Sequence, residues 1–96
     1  MRARGRIDAN QNEVVAALRA VGCNVAITSA LGSGFVDLVV YRPATGLLRL
    51  IELKDGSKPP SKRKLTPDEE EFARKFPVWV VHSVAEAFKA MEIEEA

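Results

Sequence analysis

A chain of 96 residues, 47% of them apolar, supplies one hydrophobic core rather than two, so a single domain spanning 1–96 is expected. With 28% charged residues and no apolar run near the roughly 20 residues of a bilayer span, a membrane-embedded chain is excluded as an expectation. The one cysteine, Cys23, has no partner for an internal disulfide, and one Cys with one His argues against a Cys/His zinc site. Arg2, Arg4 and Arg6 are followed by polar residues 8–13, where a secretory leader needs an apolar stretch, so a reducing cytoplasm is the expected location. Net charge is only +1, but it is unevenly spread. Residues 1–65 carry eleven Lys/Arg against five Asp/Glu (+6), and residues 66–96 carry three against eight (−5), as expected of one basic face and one acidic edge.

In chain order, Asn10-x-x-Glu13 predicts a capping box that opens a helix through Val14, Ala17, Leu18 and Val21, with Gly22 closing it. Residues 24–30 alternate around Val25 and Ile27 and predict a short strand, followed by a turn at 31–34. The runs 35–41 and 47–53 predict a hairpin about the Pro/Gly loop 42–46. Residues 54–64 are basic and rich in Gly, Pro and Ser, as a surface loop should be. Thr66, Pro67 and Glu69 predict an N-cap, a first helical residue and a closed capping box, with the helix ending near Phe76-Pro77. A fourth strand is expected at 78–81. Ser83-x-x-Glu86 then opens a third helix through Ala87, Phe88 and Met91 into an acidic tail. The order αβββαβα implies an α/β fold in which helices cover a four-stranded sheet.

Three polar residues interrupt the apolar strands: Asp37 within 35–40, and Glu52 and Lys54 on either side of Leu53. A carboxylate in a buried strand costs several kcal/mol unless a cation or metal compensates it, so its presence needs a reason. Folding the hairpin about its loop sets Asp37 nearly opposite Glu52, and strand alternation puts Lys54 on the same face as Glu52. Two carboxylates and a backbone carbonyl form a hard, open site suited to Mg²⁺ or Mn²⁺. The plainer reading of the same residues is a structural Lys–Asp/Glu cluster.

Asp37, fourteen intervening residues, Glu52-Leu53-Lys54 and an N-terminal helix bearing Glu13 resemble the PD-(D/E)XK nuclease superfamily. With residues 54–56 (KDG), 60–66 (PSKRKLT) and 80–87 (VVHSVAEA), the chain looks like the small stand-alone VRR-NUC proteins of phages and bacteria. The resemblance implies a restriction-endonuclease-like core with a mixed four-stranded sheet, acting in the cytoplasm of a bacterium or a phage-infected host. It implies hydrolysis of DNA phosphodiesters, with Mg²⁺ (or Mn²⁺) held by Asp37, Glu52 and the Leu53 carbonyl. Lys54 would orient the attacking water or hold the scissile phosphate, and Glu13 would support the site from the first helix. Two positions depart from the family pattern: Val36 stands where Pro is usual, and Glu69 stands where Gln is frequent. Capping its own helix is the simplest role for Glu69.

Lys58, Lys62, Arg63 and Lys64 beside this constellation, with the N-terminal arginines, suit phosphate neutralisation. No base-reading motif is present, which favours branched DNA recognised by shape, such as a flap or a Holliday junction. Paired cuts in such a substrate, and the apolar residues of the last third of the chain, favour a homodimer. His82, Cys23 and Trp79 read as a satisfied histidine, a structural cysteine and a core or dimer contact. The competing functional reading is a DNA-binding or scaffolding module on a nuclease fold whose chemistry has been lost. The presence of Glu13, Asp37, Glu52 and Lys54 together argues for the enzyme.

Overall fold

A computed structural model describes residues 10–94. It is a mixed α/β assembly with the order α1 (Gln11–Ala20), β1 (Asn24–Ile27), β2 (Leu38–Arg42), β3 (Leu47–Leu53), α2 (Pro67–Lys75), β4 (Val78–Val81) and α3 (Val84–Ala90). Short 3₁₀ turns occupy Ser29–Leu31 and Pro60–Lys62. The four strands lie in sequence order, β1-β2-β3 antiparallel and β4 parallel to β3. The parallel step requires a crossover, which the basic loop and α2 supply.

One sheet face carries the core. Val25, Leu38, Val40, Ile51, Leu53 and Val81 are buried there against Val14, Val15 and Leu18 of α1 and Ala87, Ala90 and Met91 beyond. Helices α1 and α3 pack on each other over this face, α1 touching β1 and α3 touching β4. Arg42 and Arg49 tie the sheet to the end of α3 by donating to the carbonyls of Glu92 (2.9 Å) and Ala90 (3.1 Å). These are acceptors that a helix end leaves open.

The helix signals are partly realised. Gly22 (φ 96°) closes α1 as expected, with Cys23 N–H bonded to Leu18 O (3.0 Å) and Gly22 N–H to Arg19 O (3.1 Å). The capping box of α2 is complete. At α1, however, Asn10 does not cap the helix; its side-chain amide donates to the His82 carbonyl (3.1 Å), tying α1 to the approach of α3. At α3, Ser83 Oγ accepts from Glu86 N–H (3.1 Å), while the Glu86 carboxylate reaches one residue past the cap to His82 N–H (2.8 Å). The second strand begins at Leu38 rather than Phe35, because Gly32, Ser33 and Gly34 all take positive φ and bend the chain before it.

Candidate functional site: a carboxylate–lysine cleft

Asp37 sits immediately before β2. Its N–H donates to Ile51 O (3.1 Å) and its carbonyl accepts from Thr28 N–H (2.7 Å), so its main chain is held between β3 and the end of β1. The β2–β3 register pairs Leu38 with Ile51, both fully buried in the core. One step outward Asp37 therefore opposes Glu52, and both turn to the opposite sheet face; Lys54, two residues on, shares it. The expected juxtaposition of Asp37, Glu52 and Lys54 is present, and the Asp37 carboxylate accepts the Leu53 N–H at 2.8 Å.

Burial makes this cluster electrostatically tense. Asp37 is 9% exposed and Glu52 only 3%. Loss of solvent pushes the Glu52 carboxyl up to about 10, helped by a hydrogen bond to Glu69 and by the Asp37 and Glu69 charges, with Lys54 opposing. The Lys54 ammonium lies 2.8 Å from Glu69 Oε1 and 3.8 Å from Glu52 Oε2. Burial works against ionisation of Glu69, but hydrogen bonds from Lys54, the Thr66 N–H and Glu52 hold its carboxyl below the usual range. Glu69 thus caps α2, as its sequence position implied, and also joins the cluster. Nothing in local spacing marks the second role, which depends on where α2 docks.

The cluster opens into a cleft of about 690 Å³ that Lys58, Lys62 and Lys64 also line, facing Gly34 and Asp68. Gly34 (φ 82°) is required there: a Cβ would come within 2.4 Å of the Asp68 carbonyl oxygen, so the β1–β2 loop can press directly against the start of α2. Edge-to-face contact of Phe35 with Phe72 (5.1 Å) and stacking of Phe72 on Phe76 (4.5 Å) complete the junction.

Two of the sequence candidates lie elsewhere. Glu13 is exposed and lines a second cavity, of about 570 Å³, together with Asp55, Arg63, His82 and Glu86. Arg63 belongs to that cavity because the 3₁₀ turn at Pro60–Lys62 sends it to the far side of the basic loop from Lys62 and Lys64. His82 is satisfied by Glu86, with Nδ1 2.8 Å from the carboxylate. Cys23 is buried, and that burial raises its thiol.

Among the described residues, no group of three or more His, Cys, Asp and Glu side chains has the arrangement of a metal site. The donor chemistry at Asp37 and Glu52 still fits a divalent cation. Two carboxyl groups face one buried place, and burial first, then the Glu69 hydrogen bond and the neighbouring charges, push one of them up. A hard dication at that point would favour the ionised carboxylate that burial and like charge disfavour. Compared with protein-family models, with curated proteins and with solved structures, the chain shows no significant match to any of them.

Proposed function

We propose that this chain is a Mg²⁺-dependent DNA endonuclease of the VRR-NUC kind, with a restriction-endonuclease-like core and a preference for branched DNA. One observation carries the reading: two buried carboxylates, Asp37 and Glu52, stand side by side with Lys54 at the base of a cleft lined by three further lysines. A structural ion cluster has no need of an open cleft, and a passive binding surface has no need of buried carboxylates, which repel phosphate.

In this reading Asp37 and Glu52, with the Leu53 carbonyl, hold Mg²⁺ (or Mn²⁺). That ion would supply a water of lowered pKa and neutralise charge on the phosphate. Lys58, Lys62 and Lys64 bind the DNA backbone and set its register over the cleft without reading bases. The Lys54 ammonium, at the inner end of that row, stabilises the negative charge that grows on the phosphoryl oxygens during in-line attack. The Leu53 N–H fixes one Asp37 oxygen, so the carboxylate is oriented before substrate arrives. Glu13, on the other cavity, acts at most through the α1 scaffold. The protein would work on DNA in the cytoplasm of a bacterium or an infected host, as a homodimer.

The test is a cleavage assay on duplex, flap, splayed-arm and four-way-junction DNA, with Mg²⁺ and with EDTA, alongside Asp37→Ala. Metal-dependent cutting of a branched substrate that Asp37→Ala lacks is the expected result. Tight binding of branched DNA without cutting would favour the scaffolding module instead.

A further inference from the structure

We propose that Glu69 is a positioning residue for Lys54, and that one carboxylate oxygen couples the start of α2 to the reactive end of β3. The proposal rests on the nuclease reading above for its catalytic consequence, and on geometry alone for the positioning itself.

Glu69 Oε1 accepts two hydrogen bonds, from the Thr66 N–H at 2.9 Å and from Lys54 Nζ at 2.8 Å. The first is the return arm of the α2 capping box, whose other arm runs from Glu69 N–H to Thr66 Oγ1 at 3.2 Å. A capping glutamate is ordinarily a solvent-facing device that serves its own helix. This one is only 18% exposed in its side chain and reaches across to a strand fifteen residues earlier in the chain. A lysine has four rotatable bonds whose freedom is lost when it is fixed, so an ammonium that must meet a phosphate gains from a rigid anchor. The anchor is rigid because the capping box fixes the glutamate and because α2 is seated by Gly34 against Asp68 and by Phe35 against Phe72. Glu52, at 3.8 Å, is the weaker of these two partners. Without Glu69 the ammonium loses the shorter of these two contacts and the fixed anchor that comes with it.

Three variants separate positioning from capping. Glu69→Ala removes both bonds, and with them the hydrogen bond from Glu52 to the same carboxylate. Thr66→Ala removes only the Oγ1 arm, since its backbone N–H still holds Glu69. Glu69→Gln keeps an oxygen that accepts from both donors. The expected result is a kcat for branched-DNA cleavage that falls roughly 10–100-fold in Glu69→Ala, with KM for DNA nearly unchanged. Thr66→Ala should cleave at the wild-type rate despite a lower Tm, and Glu69→Gln should recover most of the loss. Adding Lys54→Ala to Glu69→Ala should cost no more than Lys54→Ala alone. A rate loss in Thr66→Ala equal to that in Glu69→Ala would reduce Glu69 to a cap and overturn the proposal. The positioning is also read without cleavage, by ¹⁵N–¹H NMR of the lysine ammonium groups in the metal-free protein. A slowly exchanging Lys54 signal should be present in wild type and Thr66→Ala and lost in Glu69→Ala. Its persistence in Glu69→Ala refutes the proposal even if the wild type cuts no DNA. Its loss there with no cutting by the wild type upholds the positioning and rejects the nuclease reading.

Discussion

Glu52 is where burial and function pull against each other at the scale of a single residue. Its carboxyl is buried beside Asp37 and Glu69 and keeps its proton to about 10, whereas in the unfolded chain it ionises at its ordinary 4.5. Between those values the folded state binds a proton that the unfolded state has released, so stability falls as pH rises. The stabilisation is whole below 4.5 and is lost as pH approaches about 10. Glu69 and Glu86 are shifted down and act only on the acid side, so they do not mask this slope. In EDTA, the Tm of the wild type should therefore decline from pH 6 to pH 9 more steeply than that of Glu52→Gln. At the alkaline end the variant should be the more stable by about 1–4 kcal/mol, the scale of relieving a buried charge. Mg²⁺ should flatten the wild-type profile and release a proton on binding, both readable by calorimetry in two buffers of different ionisation enthalpy. The same variant should cleave at least about 10²-fold more slowly, so that stability and activity move in opposite directions. Parallel pH profiles for the two proteins would mean that Glu52 is ionised and paired in the fold.

Between elements, the basic loop divides its charges, and the division is measurable. Lys62 faces the cleft of Asp37 and Glu52, while Arg63 lines the cavity of Glu13 and His82. Lys62→Glu should weaken DNA binding and reduce the slope of log K against log salt by roughly one or more, whereas Arg63→Glu should change both far less. Equal effects from the two would place DNA across both sides of the loop. Gly34 gives a complementary test of the junction that seats α2. Gly34→Ala forces a side chain into a positive-φ position and against the Asp68 carbonyl, so it should cost more than about 2 kcal/mol in chemical denaturation. The sequence was legible wherever a period or a short-range bond decides the outcome. Alternation and the loop between β2 and β3 were enough to bring Asp37, Glu52 and Lys54 to one face, because a slip of one residue would have buried Lys54 in the core. The α2 capping box was legible for the same local reason. What could not be read was the path of residues 54–66, which decides that Glu69 reaches Lys54 and that Arg63 turns away. Asn10 misled for a related reason: a long-range tie to the His82 carbonyl outcompeted a local cap.

At the scale of the whole molecule, the sheet is covered unequally. Helices α1 and α3 close one face, and α2, which has no fully buried residue, closes only the end of the other near the cleft. Beyond it the face that carries Glu52 continues through Val80, paired with Glu52 across β3–β4, to Leu48 and Tyr41, paired across β2–β3. Leu48 is 57% exposed and Val80 37%, with Phe76 at 48% near them; Trp79, at 42%, pairs with Ile51 and so lies at the edge of the opposite face. Of the apolar residues of the last third that suggested self-association, Val81 and Met91 are consumed by the core, and Phe88 packs partly against it. Phe76 and Trp79 stay exposed, but on different faces: Trp79 sits on the side of the core, with the Arg49 guanidinium 4.5 Å from its ring, and Val80 joins Phe76 on the open face. An apolar patch of this kind on a small domain is characteristic of a contact surface. A twofold pairing through it would hold two clefts at a fixed separation, which paired incisions in a branched DNA require. Light scattering at micromolar concentration should therefore report twice the 10.5 kDa chain mass. Leu48→Glu, which puts a charge in the patch away from Glu52 and without touching the core, should shift the protein to monomer. The variant should keep its fold and nick single strands, but lose the coupling of the two cuts in a four-way junction. A wild-type protein that is monomeric throughout and still makes coupled cuts would show that the apolar face serves something other than a second copy.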